Sequence, residues 1–98
     1  MRLTTKEFFY VAQKTFKVTA SSGLHARPTT ILVNTVSAFQ ADVQLQYGEK
    51  TVNLKSILGV LSLGIQENDE ITIIATGADE EAVIEKLTET FKTEGLGE

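Results

Sequence analysis

The chain reads as an α+β domain in which a four-stranded antiparallel sheet carries three helices on one face. Three observations predict this. Four segments alternate apolar and polar residues with the period of a half-buried strand, and two longer ones repeat apolar residues at helical spacing. Each strand has one apolar face, which suits an antiparallel sheet with one solvated side. Ninety-eight residues build one core and one domain.

The first strand lies in "KTFKVTA", where Phe16, Val18 and Ala20 alternate with polar neighbours. From Ala26 the period lengthens: Leu32, Val36 and Phe39 fall on one helical stripe, with Pro28 in the first turn. "ADVQLQY" returns to alternation through Ala41, Val43, Leu45 and Tyr47. Gly48-Glu49 follows as a two-residue hairpin loop of type II′, and "KTVNL" pairs back with Val52 and Leu54 inward. "SILGVLSLG" is a short helix between the N-cap Ser56 and Gly64. "EITIIAT" is the fourth strand, with Ile71, Ile73 and Ala75 on one face. The last helix opens on Asp79, Glu80 and Glu81 and repeats Val83, Ile84, Leu87 and Phe91. The tail "KTEGLGE" is expected to fray.

Composition narrows the function. Without cysteine there is neither a disulfide framework nor a thiolate metal site, and a reducing cytoplasm is the expected compartment. The lone histidine leaves no second imidazole for a metal, and no cofactor is expected. A net charge of −4 with nine scattered Lys and Arg argues against a nucleic-acid surface. No run approaches the ~18 apolar residues of a membrane helix. Partners are expected to be proteins or small ligands, met by a monomer.

The chemistry concentrates in "SSGLHARPTT". His25 stands where a loop gives way to the first long helix, so free backbone N–H groups and the positive end of the helix dipole lie beside it. That field disfavours imidazolium, and a neutral imidazole is a nucleophile. The same N–H groups form an anion site, to which Arg27 adds a planar cationic fork suited to phosphate. Nucleophile and anion cradle together suggest covalent phosphoryl capture. The residues alone leave another reading open, in which His25 merely caps the helix and Arg27 is a solvated charge. Ser21 and Ser22 adjoin the histidine, but no spacing identifies a catalytic triad.

"GLHARPTT", followed by "VNLKSILGVLSLGI" and "GADEEAVIEKLTETFKTEGLGE", resembles HPr, the histidine-containing phosphocarrier family of the phosphoenolpyruvate-dependent sugar phosphotransferase system. The second motif is closer to the Gram-positive form than to the enteric one. The resemblance implies an open-faced β-sandwich of order βαββαβα, and a carrier rather than an enzyme. It implies that His25 takes a phosphoryl group on Nδ1 from enzyme I and passes it to the IIA domains of sugar permeases, with Arg27 supporting the phosphate. It further implies that Ser56 is the target of an ATP-dependent HPr kinase/phosphorylase. The phosphoserine form would then act with a catabolite control protein in carbon catabolite repression. The alternative within the same resemblance is a paralogue working as a regulatory corepressor or in nitrogen-related signalling.

Three departures from the family pattern stand out. Thr29 replaces a customary alanine and puts a β-branched hydroxyl where it would crowd a docking partner. Leu58 and Leu61 replace two methionines of the docking surface, conserving volume but losing methionine's adaptability. Residues 1–10 match nothing in the family, and Val11 stands where its chains begin with methionine. The domain is therefore expected to span 11–98, with 1–10 an extension outside the fold; the alternative has "EFFY" packing on the open sheet face.

Overall fold

The computed structural model describes residues 11–98, and both readings of the extension lie outside them. Seven elements follow in order: β1 (Val11–Lys17), α1 (Ala26–Ser37), β2 (Asp42–Tyr47), β3 (Lys50–Asn53), α2 (Ile57–Leu61), β4 (Glu70–Thr76) and α3 (Glu80–Thr93). The strands form one sheet in the order β1-β4-β2-β3, antiparallel at every pairing. The predicted βαββαβα architecture is the one observed.

Alternation decides which face is covered. Phe16, Val43, Leu45, Ile71, Ile73 and Ala75 are buried and meet Leu32 and Val36 of α1, Val60 of α2, and Val83, Leu87 and Phe91 of α3 in one cluster. Phe16 stacks on Phe91 with ring centroids 4.1 Å apart, locking β1 to α3. On the opposite face the paired hydroxyls of Thr15 and Thr72 lie 2.9 Å apart, and Gln44 and Gln46 are exposed. The Tyr47↔Lys50 register leaves Gly48-Glu49 as the loop, and Gly48 has the positive φ (61°) that a type II′ turn needs.

The turns carry most of the specific polar contacts. Asp79 precedes α3, as expected, but its side chain does not cap that helix. Its two carboxylate oxygens instead accept the Gln40 and Ala41 N–H groups at 2.9 Å each, fastening the α1–β2 connection. Tyr47 Oη donates to Asp69 Oδ2 at 2.6 Å, and the same oxygen accepts the Gln66 N–H at 2.9 Å. The phenol first, and the backbone N–H second, hold the Asp69 carboxyl below its ordinary range. Such a group contributes stability at neutral pH that is lost as pH falls through its lowered value. Tyr47→Phe should therefore flatten the acid limb of a plot of melting midpoint against pH; an acid limb unchanged from the parent would refute the coupling.

Three expectations need correction. The first strand begins earlier than its alternation implied, at Val11, and Val18 forms only an isolated bridge to Gly97. Helix α1 ends at Ser37, so Phe39 lies beyond it, half-buried, with its carbonyl accepting Lys55 Nζ at 2.9 Å. The tail does not fray. Leu96 is buried, its carbonyl accepts the N–H groups of Thr19 (2.9 Å) and Ala20 (3.1 Å), and Glu98 exchanges two backbone hydrogen bonds with Lys17. These backbone partners are invisible to a reading based on side-chain periodicity.

Candidate functional site

The loop between β1 and α1 is bent by two consecutive residues with positive φ, Ser22 (68°) and Gly23 (71°). The Gly23 N–H returns to the Ala20 carbonyl at 2.9 Å, and the buried Leu24 anchors the far end through its N–H to the Ile65 carbonyl at 3.1 Å. His25 then takes an extended conformation (φ −83°, ψ −165°) as N-cap of α1. Its carbonyl accepts the Thr29 N–H, the first bond of the helix.

The imidazole performs no capping. It makes no cap hydrogen bond and lies exposed, so its ring nitrogens are not consumed by the fold. Pro28 has no N–H to offer, which leaves those of Ala26 and Arg27 ahead of the first helical bond, with no backbone acceptor among the described residues. Arg27 is exposed as well, and the one salt bridge among the described residues is elsewhere, between Lys86 and Glu89. His25, Arg27, Pro28, Ser21, Gly95 and Leu96 are among the residues around a cleft of about 350 Å³. The arrangement offers an unengaged nucleophile, two backbone donors, a helix dipole and a guanidinium at one mouth. That suits an imidazole exchanging a dianionic group.

The other candidate residues fall into two groups. Leu58 is 78% exposed, Leu61 half-buried, and Ile57 beside them is also exposed, so α2 presents an apolar surface. Ser56 is the N-cap of α2, accepting the Gly59 N–H on Oγ at 3.0 Å as expected. Lys55, just before it, is tied to Phe39 beyond the C-terminal end of α1, whereas His25 stands at the N-terminal end, ~18 Å away along the helix axis. Thr29 belongs to neither group. It is fully buried, and its hydroxyl donates to the Leu24 carbonyl at 3.1 Å, so it offers no surface to a docking partner. Position 29 lies on the inner face of α1 beside Leu32 and Val33, where the hydroxyl gains a hydrogen bond that alanine would lack.

Sequence reasoning missed the wall of the cleft formed by Gly95 and Leu96. Their role depends on the tail folding back along β1, and no residue type in "EGLGE" announces it.

A family model described as the PTS HPr component phosphorylation site matches residues 12–93. The chain belongs to the HPr family. Among solved structures, HPr of Bacillus anthracis is 40% identical, with 79% of this chain and 92% of that one covered and a TM-score of 0.74. A Mycoplasma histidine-containing phosphocarrier protein is 34% identical over 89% of this chain and 99% of its own, with a TM-score of 0.85. Crh, the catabolite repression protein of Bacillus subtilis, is 40% identical over 80% and 90% of the two chains, with a TM-score of 0.67. HPr proteins are phosphocarriers and not enzymes, and the similarity extends to Gram-positive members. Among the described residues no helix is long and apolar enough to cross a membrane.

Proposed function

We propose that this chain carries a phosphoryl group on His25 between enzyme I, charged by phosphoenolpyruvate, and the IIA domains of sugar permeases. The observation that carries the reading is the exposed His25 imidazole at the start of α1, which caps nothing and shares its cleft with Arg27. In loading, a His25 nitrogen forms a bond to phosphorus as the bond between phosphorus and its carrier atom on enzyme I breaks. The Ala26 and Arg27 N–H groups and the Arg27 guanidinium balance the charge on the phosphoryl oxygens. Unloading onto a IIA histidine is the same exchange reversed, which suits a carrier acting as a monomer in the cytoplasm.

Incubation with phosphoenolpyruvate and enzyme I should add one acid-labile phosphoryl group that maps to the peptide containing His25; an acid-stable adduct or none overturns the proposal. Arg27→Ala should leave stability within ~0.5 kcal/mol, since the side chain is exposed and unpaired, yet slow transfer. Equal transfer rates would reduce Arg27 to a solvated charge.

Ser56 is the regulatory site in this reading, phosphorylated by an HPr kinase/phosphorylase, with the phosphoserine form serving a catabolite control protein. Its hydroxyl is partly exposed, and a phosphate oxygen can keep the hydrogen bond from the Gly59 N–H, so modification leaves the fold intact. In this reading phosphate on Ser56 acts on His25 through a shared partner, with Leu58 and Leu61 in the docking surface.

A further inference from the structure

We infer that Leu96–Glu98 is a strap that positions the phosphoryl site, with Leu96 and Gly97 as positioning residues for transfer at His25. The inference rests on the carrier reading above. The segment that delivers His25 begins at Thr19 and Ala20, and both N–H groups there end on one acceptor, the Leu96 carbonyl. Ala20 and Ser21 form part of the cleft holding His25, and Gly95 and Leu96 form another part of the same cleft. One stretch of backbone therefore both anchors the loop and walls the site.

The strap is seated closely. Lys17 and Glu98 donate N–H to each other's carbonyl at 3.1 and 2.9 Å, with the Val18↔Gly97 bridge between them and Leu96. A Cβ built on Gly97 would lie 2.4 Å from the Lys17 carbonyl oxygen and 2.9 Å from the Phe91 ring, so only glycine lets the strap lie on β1. At its other end the loop is held by the Leu24 bond to Ile65, which does not involve the strap. Releasing the strap thus frees the near half of the loop and leaves the start of α1 folded. The consequence is misplacement of the imidazole relative to its anion cradle, a kinetic defect larger than the stability loss.

The test compares Gly97→Ala with the parent and with Val83→Ala, a buried change remote from the strap. A chain ending at Gly95 serves as a second unstrapped form if Gly97→Ala does not fold. Amide exchange at Thr19 and Ala20, the melting midpoint, and kcat and KM for loading by enzyme I are measured well below all midpoints. In the unstrapped form, exchange at those two amides should rise and kcat should fall roughly tenfold or more with KM for the carrier retained. In Val83→Ala, exchange at Thr19 and Ala20 and kcat should both hold. Faster exchange with unchanged kcat, or a kcat that merely tracks stability across the variants, overturns the inference. Exchange unchanged in both unstrapped forms overturns it too. A parent that enzyme I never labels defeats the carrier reading instead, so the two failures are distinguishable.

Discussion

His25→Ala is expected to abolish phosphoryl acceptance and to leave the melting midpoint almost unmoved. The two halves follow from one observation: the imidazole is exposed at the head of α1 and makes no capping bond. Removing it therefore exposes no core and orphans no buried donor, a change within about 0.5 kcal/mol. The chain has no other histidine to take the group. Loss of a covalent nucleophile costs at least ~10³-fold, and without a second imidazole it should be complete at the limit of detection. Radiolabel transferred from phosphoenolpyruvate through enzyme I and then released by acid measures it directly. A variant that still takes an acid-labile label would place the acceptor elsewhere.

Gly23→Ala is expected to give the largest loss of stability, and to damage the site from beneath. Gly23 has φ +71°, where an L side chain already pays for its Cβ, and the added atom would lie 2.1 Å from the Ile65 carbonyl oxygen and 2.7 Å from the Gln66 Cα. Both neighbours are backbone, so no rotamer change relieves the overlap. Relief requires parting the loop from residues 65–66, which breaks the Leu24–Ile65 hydrogen bond and loosens two buried side chains, Leu24 and Ile65. A loss of ~3–5 kcal/mol follows from strain, a lost buried hydrogen bond and disturbed packing together. At about 4–8 °C per kcal/mol for a domain of this size, the midpoint should fall by well over 10 °C. Thermal unfolding followed by circular dichroism checks it; a fall of under 5 °C would mean that the loop moves freely against residues 65–66.

The contrast between these two positions shows what was legible in the sequence. Alternation in "ADVQLQY" and "EITIIAT" fixes which side chains face inward, because burial of an apolar face is a property of the strand itself. The start of α1 at His25 was legible for a similar reason: a loop, a proline in the first turn and the change of period combine within a few residues. Ser56 could be read as an N-cap from its own hydroxyl. Thr29 was misjudged against the family's alanine, although it stands three residues before Leu32 and seven before Val36 and so falls on the same buried stripe of α1. Asp79 was read for its own helix, when its carboxylate serves the Gln40–Ala41 backbone of a connection 38 residues away. The tail was misread for the same physical reason, since its partners are main-chain groups that every residue possesses.

The strand order β1-β4-β2-β3 bears on how the chain is made. β1 can pair only with β4, some sixty residues later, and Val18 meets Gly97 near the other end of the chain. Contacts of such sequence separation require large loops to close before they contribute, which slows folding relative to a helical bundle of the same length. During synthesis, then, β2, β3 and α2 can associate early as a local hairpin and helix. The exposed β1 must wait, unpaired, until β4 and α3 have left the ribosome. At ~5–20 residues per second that interval lasts several seconds, during which Phe16, the one fully buried side chain of β1, has no partner. The sheet of this small domain is thus completed only after nearly the whole chain has been made.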